Sequence, residues 1–151
     1  MSKVTSTMPE RLLAFLRQGA PVLLATHGED GWPSIVMTWA AARDDRTVRF
    51  GVDTGSATEA NILREGKATL QVVGPDNILF LIKGTVRKVK EQIEAAPFPI
   101  GMAEMSVTEV KDQSWPGVVV APLTYQWEGE QREAMAAMEQ AVLAELREWE
   151  P

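Results

Sequence analysis

A chain of 151 residues, 45% hydrophobic and 24% charged, has the size and make-up of one globular domain with a real core. Its formal net charge of −6 opposes binding to nucleic acid or to an anionic membrane surface, both of which call for a basic face. The absence of cysteine excludes disulfides, thiolate metal sites and a thiol nucleophile.

The N-terminal stretch "MSKVTSTMPERLLAFLRQG" is amphipathic and has no continuous apolar run. It reads as neither a signal peptide nor a membrane span, and a cytoplasmic setting is expected. Pro9 suits a first helical turn, Leu12, Leu13, Phe15 and Leu16 recur at helical spacing, and Gly19 ends the run. "PVLLATHGEDGWP" reads as a strand and a turn, with Asp30-Gly31 as the hairpin signal. "SIVMTWAAA" is a second strand, "RDDRT" a turn and "VRFGVD" a third strand. A helix over about 56–65 follows, stopped by Gly66. "KATLQVVG" and "ILFLIKGTVRKV" are strands joined by the turn "PDN", and Gly84 inside the second predicts a bulge or bend.

"EQIEAAPFPIGMAEM" is ambiguous: its first half has the composition of a short helix, broken by Pro97 and Pro99. "SVTEVKD" and "GVVVAPLTYQW" are expected as further strands. Met135, Met138, Val142, Leu146 and Trp149 fall on one face of a closing helix over about 130–149. No repeat, linker or low-complexity tract divides the chain, so residues 1–151 are expected to form a single domain. About six or more strands, one inserted helix and a helix at each end predict an α+β fold built on a meandering antiparallel β-barrel.

Most familiar chemistries fail on this sequence. A Ser-His-Asp triad or a histidine metal site needs imidazoles, and the one histidine, His27, lies at a strand end beside a turn. Acidic neighbours such as Asp44-Asp45 sit in turns, where solvation accounts for them. No Walker-type or dinucleotide-binding glycine loop is present. No metal site and no catalytic acid or base is therefore assigned. Of the five tryptophans, Trp32 and Trp115 are hardest to place in a small core, and tryptophan is favoured at interfaces and ligand sites.

The junction "GVDTGSATEANILREG" can be read in two ways. Strand, Gly-Ser turn and helix N-terminus form a natural phosphate site. Ser56 followed by Glu59 is also a capping box, in which Ser56 accepts from the Glu59 N–H and Glu59 reaches back to the Ser56 N–H. The box needs no ligand, and its carboxylate opposes a bound phosphate.

The ordered set "PVLLATHGEDGWPSIVMTW", "VRFGVDTGSATEANI" and "KATLQVVGPDNILFLIKGTVRKV" resembles the pyridoxamine 5′-phosphate oxidase-like, FMN-binding split-barrel superfamily over roughly residues 8–125. The resemblance implies a split barrel, a homodimer and an FMN cleft at the subunit interface. It places Val36, Met37, Thr38 and Trp39 along the flavin ring. It places Gly51, Val52, Asp53, Ser56 and Thr58 near the ribityl phosphate, with Asn61 as a further hydrogen-bonding group.

One departure matters. The family pattern carries Arg and Lys directly after the serine, and this chain has Ala57 and Thr58, followed by Glu59. A basic residue often found three positions after the hairpin proline is Val36 here. Losing two charge-assisted bonds weakens phosphate binding by ~3–6 kcal/mol, or two to four decades. Lys83, Arg87 and Lys88 on the long strand are the cations that a partner subunit could contribute instead. The resemblance thus implies a weakly FMN-binding flavoprotein, a flavin-dependent oxidoreductase of unknown substrate. The rival reading is a non-enzymatic split-barrel dimer that has lost tight flavin binding and takes another small-molecule ligand or none. Heme or deazaflavin ligands are further options in the superfamily, and heme is opposed by the single imidazole.

Overall fold

The computed structural model describes residues 3–151. In chain order they form β1 (Lys3–Thr5), α1 (Glu10–Arg17), β2 (Ala20–His27), β3 (Pro33–Asp44), β4 (Thr47–Asp53) and α2 (Ala57–Glu65). β5 (Lys67–Val73), β6 (Leu79–Lys90), β7 (Ile100–Asp112) and α3 (Arg132–Glu148) follow. All pairings are antiparallel in the order β1-β7-β4-β3-β2-β5-β6, and β6 also pairs with β7. That last pairing closes six strands into a barrel, with β1 as an extra strand on β7. With the helices at either end and α2 inserted, this is the α+β split barrel.

Alternation builds the interior. On β2 the buried positions are Ala20, Val22, Leu24 and Thr26, and on β5 they are Ala68, Leu70 and Val72. Leu12 and Leu16 of α1 and Ile62 of α2 join this core with Phe50 and Phe80. A second core lies outside the barrel wall. There Val142, Leu143 and Leu146 of α3 pack on Ala41, Ile93, Ile100 and Met102. Ala40, Ala41 and Ala42 are all buried, because β3 passes here between the two cores.

Arg49 of β4 faces the second core and is only 2% exposed. It donates to Glu104 at 2.9 Å and to the carbonyls of Leu146 and Trp149. A guanidinium therefore satisfies the orphan carbonyls at the C-terminus of α3 and ties that helix to the barrel.

The bulge expected at Gly84 is present as a register shift between Lys83 and Gly84. A Cβ there would lie 2.3 Å from the Ser106 carbonyl oxygen, so only glycine fits. Gly66 caps α2 in the left-handed region, with φ 64°.

Three expectations are corrected. Residues 91–99 form turns, not a short helix, since Pro97 and Pro99 leave room for a single turn, closed by Ala96 N–H on Ile93 O. The strand expected at "SVTEVKD" starts earlier, at Ile100, because β7 pairs along its whole length with β4 and β6. "GVVVAPLTYQW" joins no sheet. Its backbone makes isolated bonds to the barrel, such as Leu123 N–H to Val73 O at 3.0 Å, and no ladder. Its end still lies extended on the barrel, with Leu123, Tyr125 and Trp127 half-buried in alternation. β1 was not foreseen in the amphipathic N-terminal stretch. Among the described residues no helix is long and apolar enough to cross a membrane.

Candidate functional site

The first half of β3 leaves the barrel wall uncovered. Ile35, Val36 and Met37 are exposed, Met37 by 51%, and Trp32 in the preceding hairpin turn is 74% exposed. The turn follows from its residues: Gly31 adopts φ 86°, and the Asp30 carboxylate accepts from the Trp32 N–H at 3.0 Å.

Val36, Met37, Thr38, Gly51, Val52, Asp53, Ser56 and Thr58 line one small cleft of about 60 Å³, where β3, β4 and the start of α2 meet. The Thr38 hydroxyl donates to Gly51 O at 2.7 Å and pins β3 to β4 at its floor. At its α2 end, Ser56 Oγ accepts from the Glu59 N–H at 3.1 Å and donates to Asp53 O at 2.7 Å. The cap is real, but its return bond differs from the expected box. Glu59 accepts from the Gly55 N–H at 3.1 Å, while the Ser56 N–H bonds Asp53 O at 3.3 Å. The tight 53–56 turn has already engaged the Ser56 amide.

Among the described residues the cleft lining holds no Lys, Arg or His, and its one titratable group is Asp53. A cation is nevertheless close to the helix start. Lys88 of β6 places Nζ 2.7 Å from Glu59 and 2.9 Å from Glu91. It passes over Gly101, where a Cβ would stand 2.7 Å from Lys88 Cε. Glu59 is held below the usual carboxylate range, chiefly by the Lys88 hydrogen bond and then by Gly55 N–H. Lys88 is correspondingly raised, chiefly by its bond to Glu59. The other three cations of β6 are paired as well, Lys83 with Glu109 at 3.4 Å, Arg87 with Glu104 at 3.3 Å and Lys90 with Glu145 at 2.8 Å.

Two predicted residues stand apart from this cleft. Asn61 is buried and spends its amide on Thr26 Oγ1 at 3.0 Å and on Arg64, so it joins α2 to β2 and borders a groove on the far side of the helix. Trp39 lies next door, in a cleft of about 330 Å³ that shares Met37, Thr38 and Asp53 with the first. Its other walls include Phe98, Ile100, Tyr125 and Trp127.

Behind the rings stands Glu139 of α3. It accepts from Trp39 Nε1 at 3.1 Å, from Trp127 Nε1 at 3.3 Å and from the Tyr125 hydroxyl. Burial pushes the Glu139 carboxyl up, opposed by the Trp39 bond. Phe98, Tyr125, Trp127 and Glu139 were not found from sequence. The usable signal was the two-residue spacing of Tyr125 and Trp127, which puts both rings on one side of an extended segment. Among the described residues no cluster of His, Cys, Asp and Glu could hold a metal ion.

A family model described as pyridoxamine 5′-phosphate oxidase matches residues 8–120. No curated protein matches the chain. Solved structures do. An F420 reductase aligns with TM-score 0.60 at 20% identity, over 70% of this chain and 100% of its own. HupZ from Group A Streptococcus aligns with TM-score 0.58 at 17% identity, over 76% and 98%. A pyridoxamine 5′-phosphate oxidase-related, FMN binding protein from Nostoc punctiforme aligns with TM-score 0.51 at 16% identity, over 66% and 75%. At these identities the likeness is one of fold.

FMN, the group such a fold implies, fits this lining unevenly. The uncovered apolar strand face suits a flat ring. The phosphate end offers hydroxyls and helix amides but no free cation, and it has carboxylates at Asp53 and Glu59. The cleft is also small: ~60 Å³ is about the share of two water molecules in the liquid.

Proposed function

The chain belongs to the pyridoxamine 5′-phosphate oxidase family, and from that we propose that it is a flavin-binding split barrel that holds its ligand by the ring more than by the phosphate. The observation that carries this reading is the cation-free cleft at β3, β4 and α2, beside an apolar strand face left open. A small-molecule site typically encloses ~300–1,000 Å³. One chain alone supplies too little wall here, so the reading includes a homodimer, with a second copy covering Ile35, Val36 and Met37.

When bound, a flavin supplies redox chemistry, and the activity proposed is flavin-dependent oxidoreduction of a substrate not yet identified. The chain's own residues bind and orient. Val36 and Met37 give apolar contact, the Thr38 bond to Gly51 O fixes the strand spacing, and Ser56 holds the helix start in place.

The test is titration of the purified protein with FMN and with riboflavin, followed by calorimetry and flavin fluorescence. Because no free cation meets the phosphate, the two should bind within about three-fold of each other, in the micromolar range. An FMN preference of a hundred-fold or more would refute a ring-held ligand. If neither binds, the second reading holds: a non-enzymatic split barrel, favoured by a cleft whose one titratable group is Asp53.

A further inference from the structure

The ring cleft beside the first one has a chemistry of its own. Trp39 lies 6.1 Å from Phe98 and 6.4 Å from Trp127, centroid to centroid, with planes inclined by 33° and 43°. Tyr125 meets Trp127 edge-on at 5.8 Å and 78°. Rings at such mixed angles wall a concave space and do not stack into a flat platform.

Their polar edges are already taken. Both indole N–H groups and the Tyr125 hydroxyl converge on one oxygen of Glu139. What the rings themselves offer the cleft is carbon, and ring faces are electron-rich; Gln126 adds a neutral amide to the lining and no charge. Donation to a carboxylate polarises the indoles further in that sense. The Thr38 hydroxyl is also spent, on Gly51 O.

Charge selects among occupants. No Lys, Arg or His lines this cleft, whereas Asp53 does, and Glu139 stands behind the rings. An anion would meet the Asp53 carboxylate, with Glu139 behind the rings, and no counter-charge. A neutral apolar ligand would gain nothing from Asp53. A compact cation with apolar groups on its nitrogen is served by both the rings and the carboxylate.

We propose that the cleft walled by Trp39, Phe98, Tyr125 and Trp127, with Asp53 in its lining, is a binding site for a small organic cation of the alkylammonium class. Its volume of about 330 Å³ admits a trimethylammonium group with a short chain. The site does not rest on the flavin reading: Phe98, Tyr125 and Trp127 belong to this cleft alone, and although Trp39 and Asp53 are also residues that a bound flavin would approach, the cation needs no flavin to be held.

The probe is choline, set against 3,3-dimethylbutan-1-ol, its uncharged carbon isostere. The full-length protein, with no flavin added, is titrated at constant ionic strength. Heat and the indole N–H signals of the five tryptophans are followed. Choline should bind at least ten-fold more tightly than the isostere and shift the Trp39 and Trp127 signals while sparing exposed Trp32. Asp53→Asn, at an exposed position, should weaken choline several-fold without lowering the melting temperature. Trp127→Leu should weaken it at least ten-fold, with folding checked by circular dichroism. Equal binding of choline and the isostere would overturn the proposal, leaving an ordinary apolar pocket. So would a failure of choline to bind the folded wild-type protein, whatever the outcome with flavins.

Discussion

Removing one carboxylate should turn this protein into a better binder of FMN and leave riboflavin unaffected. The residue is Glu59. Its Oε2 lies 2.7 Å from Lys88 Nζ, and the two side chains are only 15% and 13% exposed. Glu59→Gln keeps an amide oxygen for the Gly55 N–H and removes the charge that holds Lys88. The remaining partner, Glu91, is 90% exposed and holds it weakly. A lysine placed at Thr58, where the family pattern has a cation, would instead have to be buried.

A freed ammonium that reaches the phosphate makes one charge-assisted bond, worth ~1.5–3 kcal/mol net. That is about ten- to hundred-fold in affinity. The cost is the lost pair, which falls on folding stability and lies between the ~1 kcal/mol of an exposed pair and the ~3–5 kcal/mol of a buried one. Calorimetry of wild type and variant with both flavins, at low and high salt, reads the effect directly. The FMN-to-riboflavin ratio should rise at least ten-fold at low salt and shrink as the Debye length falls below ~10 Å. An unchanged ratio would refute the reasoning, because the phosphate would then not lie at the α2 N-terminus.

Ser56→Ala removes the acceptor for the Glu59 N–H and should cost ~1 kcal/mol in denaturant unfolding without any ligand. An unchanged midpoint would mean that the hydroxyl does not cap α2. Arg49→Met removes the buried donor to Glu104 and to the Leu146 carbonyl, leaving Glu104 with exposed Arg87 alone and the Trp149 carbonyl with Arg43, and should cost on the order of 3 kcal/mol, with α3 amides losing protection in hydrogen exchange. Met37→Glu puts a charge on the uncovered strand and should shift a dimer to monomer in light scattering. A wild-type monomer at micromolar concentration would remove the proposed dimer. The Glu59–Lys88 pair also sets a pH window. Glu59 is lowered, so its contribution is present above its ordinary 4.5 and is lost as pH falls through the folded value. Lys88 is raised, so its contribution is full below its ordinary 10.5 and is lost as pH rises through the folded value. Glu59→Gln should flatten both limbs in urea midpoints taken across pH, with a residual acid limb from Asp112 and Glu145. In both of these, burial pushes up but bonded donors outweigh it.

What the sequence made legible was local. The hairpin at Asp30-Gly31, the bulge at Gly84, the Ser56 cap and the Gly66 stop each depend on a few neighbouring residues, and each has its expected backbone form. Strand periodicity marks β2, β5 and β6, where inward and outward positions alternate, whereas β3, β4 and β7 carry runs of buried residues where they pass between the two cores. The errors lie in long-range contacts. "GVVVAPLTYQW" has strand composition, but its backbone meets the barrel through isolated bonds such as Leu123 N–H to Val73 O and forms no ladder. The same segment then carries Tyr125 and Trp127 onto β3, which no local pattern foretells. Likewise, Glu59 and Lys88 are 29 residues apart in the chain, and only the pairing of β6 with β7 brings the lysine over Gly101 to the helix start.

The neutral residues Ala57 and Thr58 and the Glu59–Lys88 pair form one electrostatic arrangement at the start of α2. A helix N-terminus carries a partial positive charge that an anion relieves. Where a phosphate does so, nearby cations help it and a carboxylate opposes it. Here Glu59 supplies that anion from within the helix, and Lys88 neutralises Glu59 in turn. The junction is therefore satisfied without a ligand, and a phosphate arriving there must displace an existing pair or accept neutral donors. In the proposed function the ring end therefore carries most of the binding. It also explains why adding a cation beside an intact Glu59–Lys88 pair should gain less than releasing the lysine already there.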